Sequence, residues 1–485
     1  MCSFKVSLQA NKWVMSRLKR RQFLQFAGSA LGTLGLCQLE LMRQGDRYSS
    51  VLAQNTSRKL ALLVGINTYP SPLPSLQGCL TDVELQRELL TYRFGFNPKD
   101  ILTITDETSL KPTRQSILDA FENHLIEQAK PGDVVVFHYS GHGSRVIDPE
   151  PIPEFQGRNG TMVFYDSRSE HSLESGTVLD IMGRTLFLLM YALQTENVTV
   201  VLDSCHSGGG TRGNLVFRAV PSLWGGGAAQ ASPEEFEYQQ QWLSRLGLSR
   251  DEFFSLRRKG IAKGVAFGSA QHSQLAADAP FGDFHAGAFT YLLTRYLWQQ
   301  PVSQPVSSVF INLARSTKDV AQSSGVIQEP IFEVKPESNN DKKPVYFLDL
   351  LTPAAEAVVR SVKGNKIEFW LGGLSSVSLD SFKEGVIFTL TDAQGRVQGE
   401  VEQTSRVGLI GYGNLRQVRS SNTVQAGTFL REKIRGISED VKLRLGLDQS
   451  LGKQLEPARV ALQTLRRIEV VTVDQKVVLT TCSVR

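Results

Sequence analysis

Val201-Leu202-Asp203-Ser204-Cys205-His206-Ser207-Gly208-Gly209 closes an apolar run that begins at Val198. It reads as a buried strand that stops at a cysteine and passes into glycine. A second stretch has the same design: Val134-Val135-Val136-Phe137-His138-Tyr139-Ser140-Gly141-His142-Gly143. In an open α/β sheet, ligands bind in the crevice beyond the carboxyl ends of the strands. Two neighbouring parallel strands ending in this way place an imidazole and a thiol across one cleft, the pairing that nucleophilic catalysis by cysteine requires.

The flanking chain supplies the rest of such a sheet. Leu60 to Asn67 is a first buried strand, and Thr81 to Tyr92 has helical apolar spacing at Val83, Leu85, Leu89 and Leu90, with Thr81 or Asp82 as its cap. Asp100 to Thr105 reads as a strand and Thr113 to Gln128 as a helix. Residues 144–175 read as a polar loop, and Val178 to Gln194 as a helix that feeds the Cys205 strand. Gly264 to Ala270 resumes the strand pattern. Phe289 to Trp298 and Val309 to Val320 read as helices, and Val345 to Leu350 as a last strand. Alternating strands and helices predict a mostly parallel sheet covered on both faces.

Between 208 and 260 the composition changes to glycine triplets around a Glu/Gln-rich segment that ends in Arg257-Arg258-Lys259. This reads as an exposed linker, open to cleavage after Arg245, Arg250, Arg257 or Arg258. After Pro353 short alternating strands predict a separate β-rich, barrel-like domain over 354–485. Its Gly408-Leu409-Ile410-Gly411-Tyr412-Gly413 lacks the spacing of a dinucleotide fingerprint and reads as turn glycines.

The chain has 53 Lys and Arg against 48 Asp and Glu, a net charge of +5 without a basic stripe, so nucleic acid is not an expected partner. Its five cysteines form no CxxC pair and suggest neither a zinc site nor a disulfide framework. At the N-terminus, Lys19-Arg20-Arg21-Gln22-Phe23-Leu24-Gln25 is a twin-arginine pattern. It is followed by a mild apolar stretch, Phe26 to Leu36, too short for a stable membrane span, and by Val51-Leu52-Ala53 as a cleavage site. Residues 1–53 are therefore expected to be a signal for export of the folded protein, to the periplasm or beyond. A cytosolic leader and an uncleaved tether are the alternatives.

Among the histidines, His138 and His142 are four apart on a strand rising about 3.3 Å per residue, so they lie about 13 Å apart and cannot share a zinc. His138 reads as a packed strand histidine. His206 points away from Cys205, because successive strand side chains alternate. Gly141 and Gly143 are expected to leave the His142 ring exposed.

Tyr139-Ser140-Gly141-His142-Gly143 and Asp203-Ser204-Cys205-His206-Ser207-Gly208 resemble the metacaspase branch of the caspase-like cysteine peptidases, including the bacterial, cyanobacterial-type orthocaspases. Gly65-Ile66-Asn67, Tyr69 and Leu76-Gln77-Gly78-Cys79 match the same group, and the similarity spans about 58–350. It implies a six-stranded caspase-like sheet with helices on both faces. It implies His142 as general base, Cys205 as nucleophile, and the backbone N–H groups of Gly143 and Cys205 as oxyanion hole. Asp203 and Asp278 would line an S1 pocket for Arg or Lys at P1, with Ser140 as a polar wall. The partners implied are peptide or protein substrates, with self-cleavage in 208–260.

The family's acidic calcium cluster has no clear counterpart. Asp148, Glu150, Glu154, Asp166 and Asp180 are scattered, so no cofactor is expected and calcium dependence is in doubt. The rival reading is a catalytically idle module that works through its β-rich domain. The intact His142–Cys205 pair favours the enzyme.

Overall fold

The computed structural model describes residues 57–471, apart from 151–156, 169–174, 205–215, 219–228, 272–273, 324, 351, 382–384, 419–423, 435–442, 448 and 465–467. Cys205, Glu154 and the twin-arginine segment thus lie outside the described residues.

Strands β1 (Lys59–Gly65), β2 (Ile101–Thr105) and β3 (Val134–Ser140) alternate with helices α1 (Cys79–Tyr92) and α2 (Arg114–Ala120), the latter continuing as a π-helical stretch, Phe121–Ile126. Thr113 starts α2 in a reciprocal capping box with Ser116. Helix α1 begins after Gly78 without a side-chain cap, and Asp82 is turned inward and fully buried instead. Residues 143–182 depart from the loop reading. β4 (Gly143–Ile147) and β5 (Arg158–Met162) form a hairpin, and β6 (Thr177–Val178) and β7 (Ile181–Met182) precede α3 (Gly183–Ala192). The expected helix start at Val178 is therefore wrong by five residues. Buried Asp180 accepts hydrogen bonds from Thr161 and Arg168, which commits that stretch to the hairpin.

β8 (Asn197–Asp203) completes the β-branched run, and the short β9 (Val216–Phe217) and β10 (Ala229–Ala231) follow. The exposed-linker reading fails for the second half of 208–260. Helix α4 (Pro233–Leu246) has proline in its first turn, and α5 (Arg250–Lys259) opens with a Ser249–Glu252 capping box. Trp242, Leu243 and Phe253 are buried. β11 (Val265–Gly268), β12 (Ala277–Phe281), β13 (Phe284–Gly287), α6 (Ala288–Gln299), α7 (Val306–Ser323) and β14 (Ile331–Val334) complete the domain. Val345–Phe347 is a single 3₁₀ turn rather than the last strand, and β14 takes that place.

The main sheet is six-stranded, in the order β14-β11-β8-β3-β1-β2, parallel except for β14. This is the expected mixed α/β architecture. β3 and β8 are neighbours in register, Ser140 opposite Asp203, so their carboxyl ends meet at one edge. Two apolar layers cover the two faces. One gathers Leu62, Val64, Phe137, Val200 and Leu188; the other gathers Leu63, Val136, Val201, Leu89 and Phe289.

The C-terminal part is a closed barrel of β15 (Ala357–Lys363), β16 (Lys366–Trp370), β17 (Ile387–Thr391), β18 (Val397–Val407), β19 (Ile410–Arg416) and β20 (Phe429–Ile434). Closure satisfies every strand edge. Gly408 sits in the left-handed region, φ +55°, at the β18–β19 turn. The barrel docks on α6 through Trp298 against Trp370, 5.3 Å between rings, and buried Arg93 donates to the Thr352 and Pro353 carbonyls. Among the described residues no helix is long and apolar enough to cross a membrane.

Candidate active site

His142 lies between the ends of β3 and β4, and it is fully buried, not exposed as its glycine neighbours suggested. The Tyr69 ring packs against it, 4.7 Å between centroids, and the Tyr69 hydroxyl accepts the His142 N–H at 2.9 Å. The carbonyl of Pro74 lies 2.7 Å from Nε2. A carbonyl can only accept, so Nε2 carries the proton in that bond and the lone pair is on Nδ1. Nδ1 is buried and has no partner among the described residues. Desolvation lowers the pKa of this imidazole to about 4, partly opposed by its bond to Pro74. At neutral pH the ring is an uncharged base, with Nδ1 unbonded among the described residues.

His138 is also buried, with neither ring nitrogen bonded among the described residues, and burial lowers its pKa to about 3. It is a packed neutral ring within the sheet, as its strand position predicts.

The sequence-derived pocket residues Asp203, Asp278 and Ser140 come together, and a third acid, Asp82 of α1, joins them. All are buried. Each carboxylate is oriented by a fixed donor. Asp203 accepts from the Thr290 amide at 3.1 Å and its hydroxyl at 2.6 Å, in the first turn of α6, where the helix dipole favours negative charge. Asp278 accepts from the Gln77 amide at 2.6 Å. Asp82 accepts from the Gly287 amide at 2.9 Å and from the Ser140 hydroxyl at 2.6 Å. The backbone must approach closely for this. A Cβ on Gly78 would lie 2.3 Å from Asp278 Oδ1, and one on Gly287 would lie 2.2 Å from Asp203 Oδ2.

The cation among these acids comes from the chain itself. Arg218 directs its guanidinium to Asp82 Oδ2 at 2.6 Å, Ser140 Oγ at 2.6 Å, Asp278 Oδ1 at 3.2 Å and Asp203 Oδ1 at 3.3 Å. Burial opposes its charge, but Asp203 and Asp82 outweigh burial and hold it protonated. Desolvation still dominates at Asp82 and pushes its carboxyl up to about 7, despite Arg218. Three carboxylates against one guanidinium leave an excess of negative charge.

The Gly143 N–H, expected to serve an oxyanion, donates to the Arg218 carbonyl at 3.1 Å. Cys205, two residues beyond the buried end of β8, lies outside the described residues. Cys79 is free, but burial raises its thiol pKa well above the ordinary value, so it is poorly suited to form a thiolate.

Residues 59–211 match the family model of the metacaspase, peptidase C14 domain. This segment is similar to metacaspase peptidase domains. Metacaspase-1 of Candida glabrata is 34% identical over 170 residues, 34% of this chain and 41% of that protein. Metacaspase-7 of Arabidopsis thaliana is 39% identical over 153 residues, 31% of this chain and 35% of that protein. A solved structure, Caspase-1 from Spodoptera frugiperda, aligns with TM-score 0.32 at 10% identity over 57% of this chain and 87% of that one. The chain spans less than half the length of the two curated relatives named.

Sequence reasoning missed three parts of the candidate site: Asp82, read only as a cap; Tyr69, known only as part of a motif; and the Pro74 carbonyl. The last is backbone and has no residue signature. Of the scattered acids, Asp148 pairs with Arg184, Glu150 with Arg184 and Arg250, and Asp180 with Arg168, while Asp166 accepts the Arg114 amide. Among the described residues no group of three or more His, Cys, Asp or Glu is placed to hold a metal.

Proposed function

We propose that this chain is a cysteine endopeptidase that hydrolyses peptide bonds after Arg or Lys through His142 and Cys205. The observation that carries the reading is the guanidinium of Arg218 held by Asp82, Asp203 and Asp278 at the carboxyl edge of β3 and β8. A buried site with three carboxylates favours a cation and excludes an aspartate, which would bring repulsion and unpaired desolvation. Two or more charge-assisted contacts in a water-poor recess suit the planar fork of arginine, and lysine satisfies fewer of them.

The chemistry follows from the lone pair on His142 Nδ1. The imidazole takes the Cys205 thiol proton as Sγ attacks the scissile carbonyl carbon. It then gives that proton to the leaving amine, and a thioester remains on Cys205. Water activated by the same nitrogen hydrolyses the thioester and restores the thiol. The Gly143 amide, which lies against an arginyl carbonyl, is suited to stabilise the oxyanion in both steps.

A panel of fluorogenic peptides that vary only at P1 tests the reading. Hydrolysis after Arg and Lys, absent after Asp and absent from Cys205→Ala, is expected. Hydrolysis after Asp or neutral residues contradicts the pocket assignment, and none at all favours an idle binding module.

A further inference from the structure

We propose that a cavity on the face of the main sheet opposite the acidic recess is a binding site for a small apolar carboxylate. The form that fits it is an N-acyl apolar amino acid, free or as the C-terminal residue of a short peptide. None of the residues assigned to peptide hydrolysis takes part.

The cavity has a volume of about 220 Å³ and lies over β8, β11 and β14. Its apolar lining includes Val200 and Leu202 of β8, Ala266 of β11 and Ile331 of β14, with Met162 and Leu186 across from them. Strand side chains alternate between faces, so Val200 and Leu202 point away from the side that carries Val201 and Asp203. Ala266 stands in register between Val200 and Glu333 on the neighbouring strands. It contributes only a methyl group, and the space above it stays open. Ligand pockets usually run to roughly 300–1,000 Å³, so this smaller one suits a single apolar side chain with its head group.

Two polar groups reach the lining without partners. Arg257, in the last turn of α5, has its Nη1 buried and unbonded among the described residues. The Phe253 ring lies 5.6 Å from the guanidinium and fixes its place. Burial and the neighbouring Arg184 lower its pKa to about 10, against the opposing charge of Asp148, so it is still a cation at neutral pH. Asn159 of β5 is 4% exposed, and its Nδ2 donates to Asp148 at 3.1 Å. That bond sets the amide and leaves Oδ1, buried and unbonded among the described residues, as an acceptor. Asp148 joins the two groups, bonded to Asn159 and acting on Arg257 through its charge.

Other buried arginines of the domain show what a satisfied cation looks like. Arg168 faces Asp180 at 2.7 Å, and Arg184 faces Asp148 at 2.9 Å. A buried donor left unpaired destabilises the fold, more so when it is charged. A carboxylate in the cavity removes that cost at Arg257, and an N–H beside the carboxylate satisfies Asn159 Oδ1. These two groups flank the α-carbon of an N-acyl amino acid, whose side chain then lies over Ala266. Glu333, exposed on the edge strand, stands at the mouth with no ion pair among the described residues. It repels a second negative charge, so a dicarboxylate is disfavoured.

Isothermal titration calorimetry on the full chain tests the site with N-acetyl-L-leucine, N-acetyl-L-leucinamide and N-acetyl-L-glutamate. Wild type should bind N-acetyl-L-leucine saturably, one per chain, and N-acetyl-L-glutamate should not compete. Loss of the ligand's charge in the leucinamide, or of the cation in Arg257→Leu, should weaken binding roughly ten- to a hundredfold, the range of a hydrogen bond to a charged partner. Arg257→Lys should recover part of that loss, and Ala266→Leu, which fills the hollow, should abolish binding. An acetylated tripeptide ending in leucine that binds as tightly assigns the site to peptide C-termini, and one that does not bind assigns it to the free N-acyl amino acid. No saturable binding by wild type at millimolar ligand, equal affinity for the acid and the leucinamide, or unchanged affinity in Arg257→Leu overturns the proposal. Should Arg257→Leu or Ala266→Leu not fold, the comparison of acid with leucinamide on wild type decides. All of these readouts are independent of hydrolysis after Arg or Lys, so either reading can fail alone.

Discussion

Replacing Asp82 by asparagine isolates the pocket acid that sequence did not reveal. The amide keeps the shape and can still accept the Gly287 N–H through its oxygen. Its NH₂ must then face the Ser140 hydroxyl and the guanidinium, which both donate to Asp82 Oδ2 at 2.6 Å. A hydrogen bond to a charged partner contributes about 1.5–3 kcal/mol, equivalent to roughly ten- to a hundredfold in kcat/KM for an Arg-P1 peptide. Two opposing effects set where the loss falls. Asp203 and Asp278 still hold the cation, so it stays below the about 3–5 kcal/mol of a buried charge left wholly unpaired. The Asp82 carboxyl is raised to about 7, so it is largely protonated at pH 5.5 and charged at pH 8.5. The wild-type to Asp82→Asn ratio in kcat/KM should therefore be small at pH 5.5 and climb through pH 7 toward the upper bound. The sign for stability is opposite. This carboxyl holds its proton more tightly folded than unfolded, so its contribution favours the fold below the ordinary carboxylate range and declines as pH rises to about 7. Steady-state kinetics on an active preparation from pH 5 to 9 checks the ratio. A ratio that stays flat with pH, or no loss for Arg substrates, refutes the reasoning.

Three further outcomes are expected. The acid limb of kcat, followed with Arg-P1 peptide, should fall near pH 4 rather than 6.5, because burial keeps the His142 imidazole neutral down to about 4; a midpoint near 6.5 would mean a solvated ring in the working enzyme. Arg406→Ala should raise KM about three- to tenfold with kcat little changed, since Arg406 and the Gly408 amide of the barrel grip Asp283 at 2.7 and 2.9 Å, at the tip of the β12–β13 hairpin that carries Asp278; an unchanged KM would detach the barrel from substrate binding. Arg20→Lys with Arg21→Lys should abolish export of a reporter active only outside the cytoplasm, and an unchanged signal would leave the leader cytosolic.

The parallel core was legible because its strands are β-branched runs long enough to exclude other readings, as at Val134–Val136 and Val198–Val201. β4 and β5 were not, because Gly143–Ile147 and Arg158–Met162 carry polar and glycine residues that pair in a small side sheet without apolar alternation. The helices of 233–259 left usable signals: Pro233 behind Ser232, and Ser249 three residues before Glu252. Their Glu/Gln-rich faces resembled a linker, and composition outweighed capping. At the site, reactive residues at strand ends declared themselves. Asp82 looked like any helix-initial acid, since only the fold brings α1 against β13. Arg218 follows Val216-Phe217 after a glycine-rich stretch, and nothing local marks it as a buried arginine.

The most direct measurement of the central claim is covalent labelling with a peptidyl-Arg chloromethyl ketone, read by mass spectrometry of the adduct. The account predicts stoichiometric alkylation of Cys205 in the active protein, blocked by excess Arg-P1 peptide, lost in Cys205→Ala and greatly slowed in His142→Ala. Alkylation of Cys79 or Cys482 instead, or labelling at equal rate by a peptidyl-Asp reagent, would contradict it.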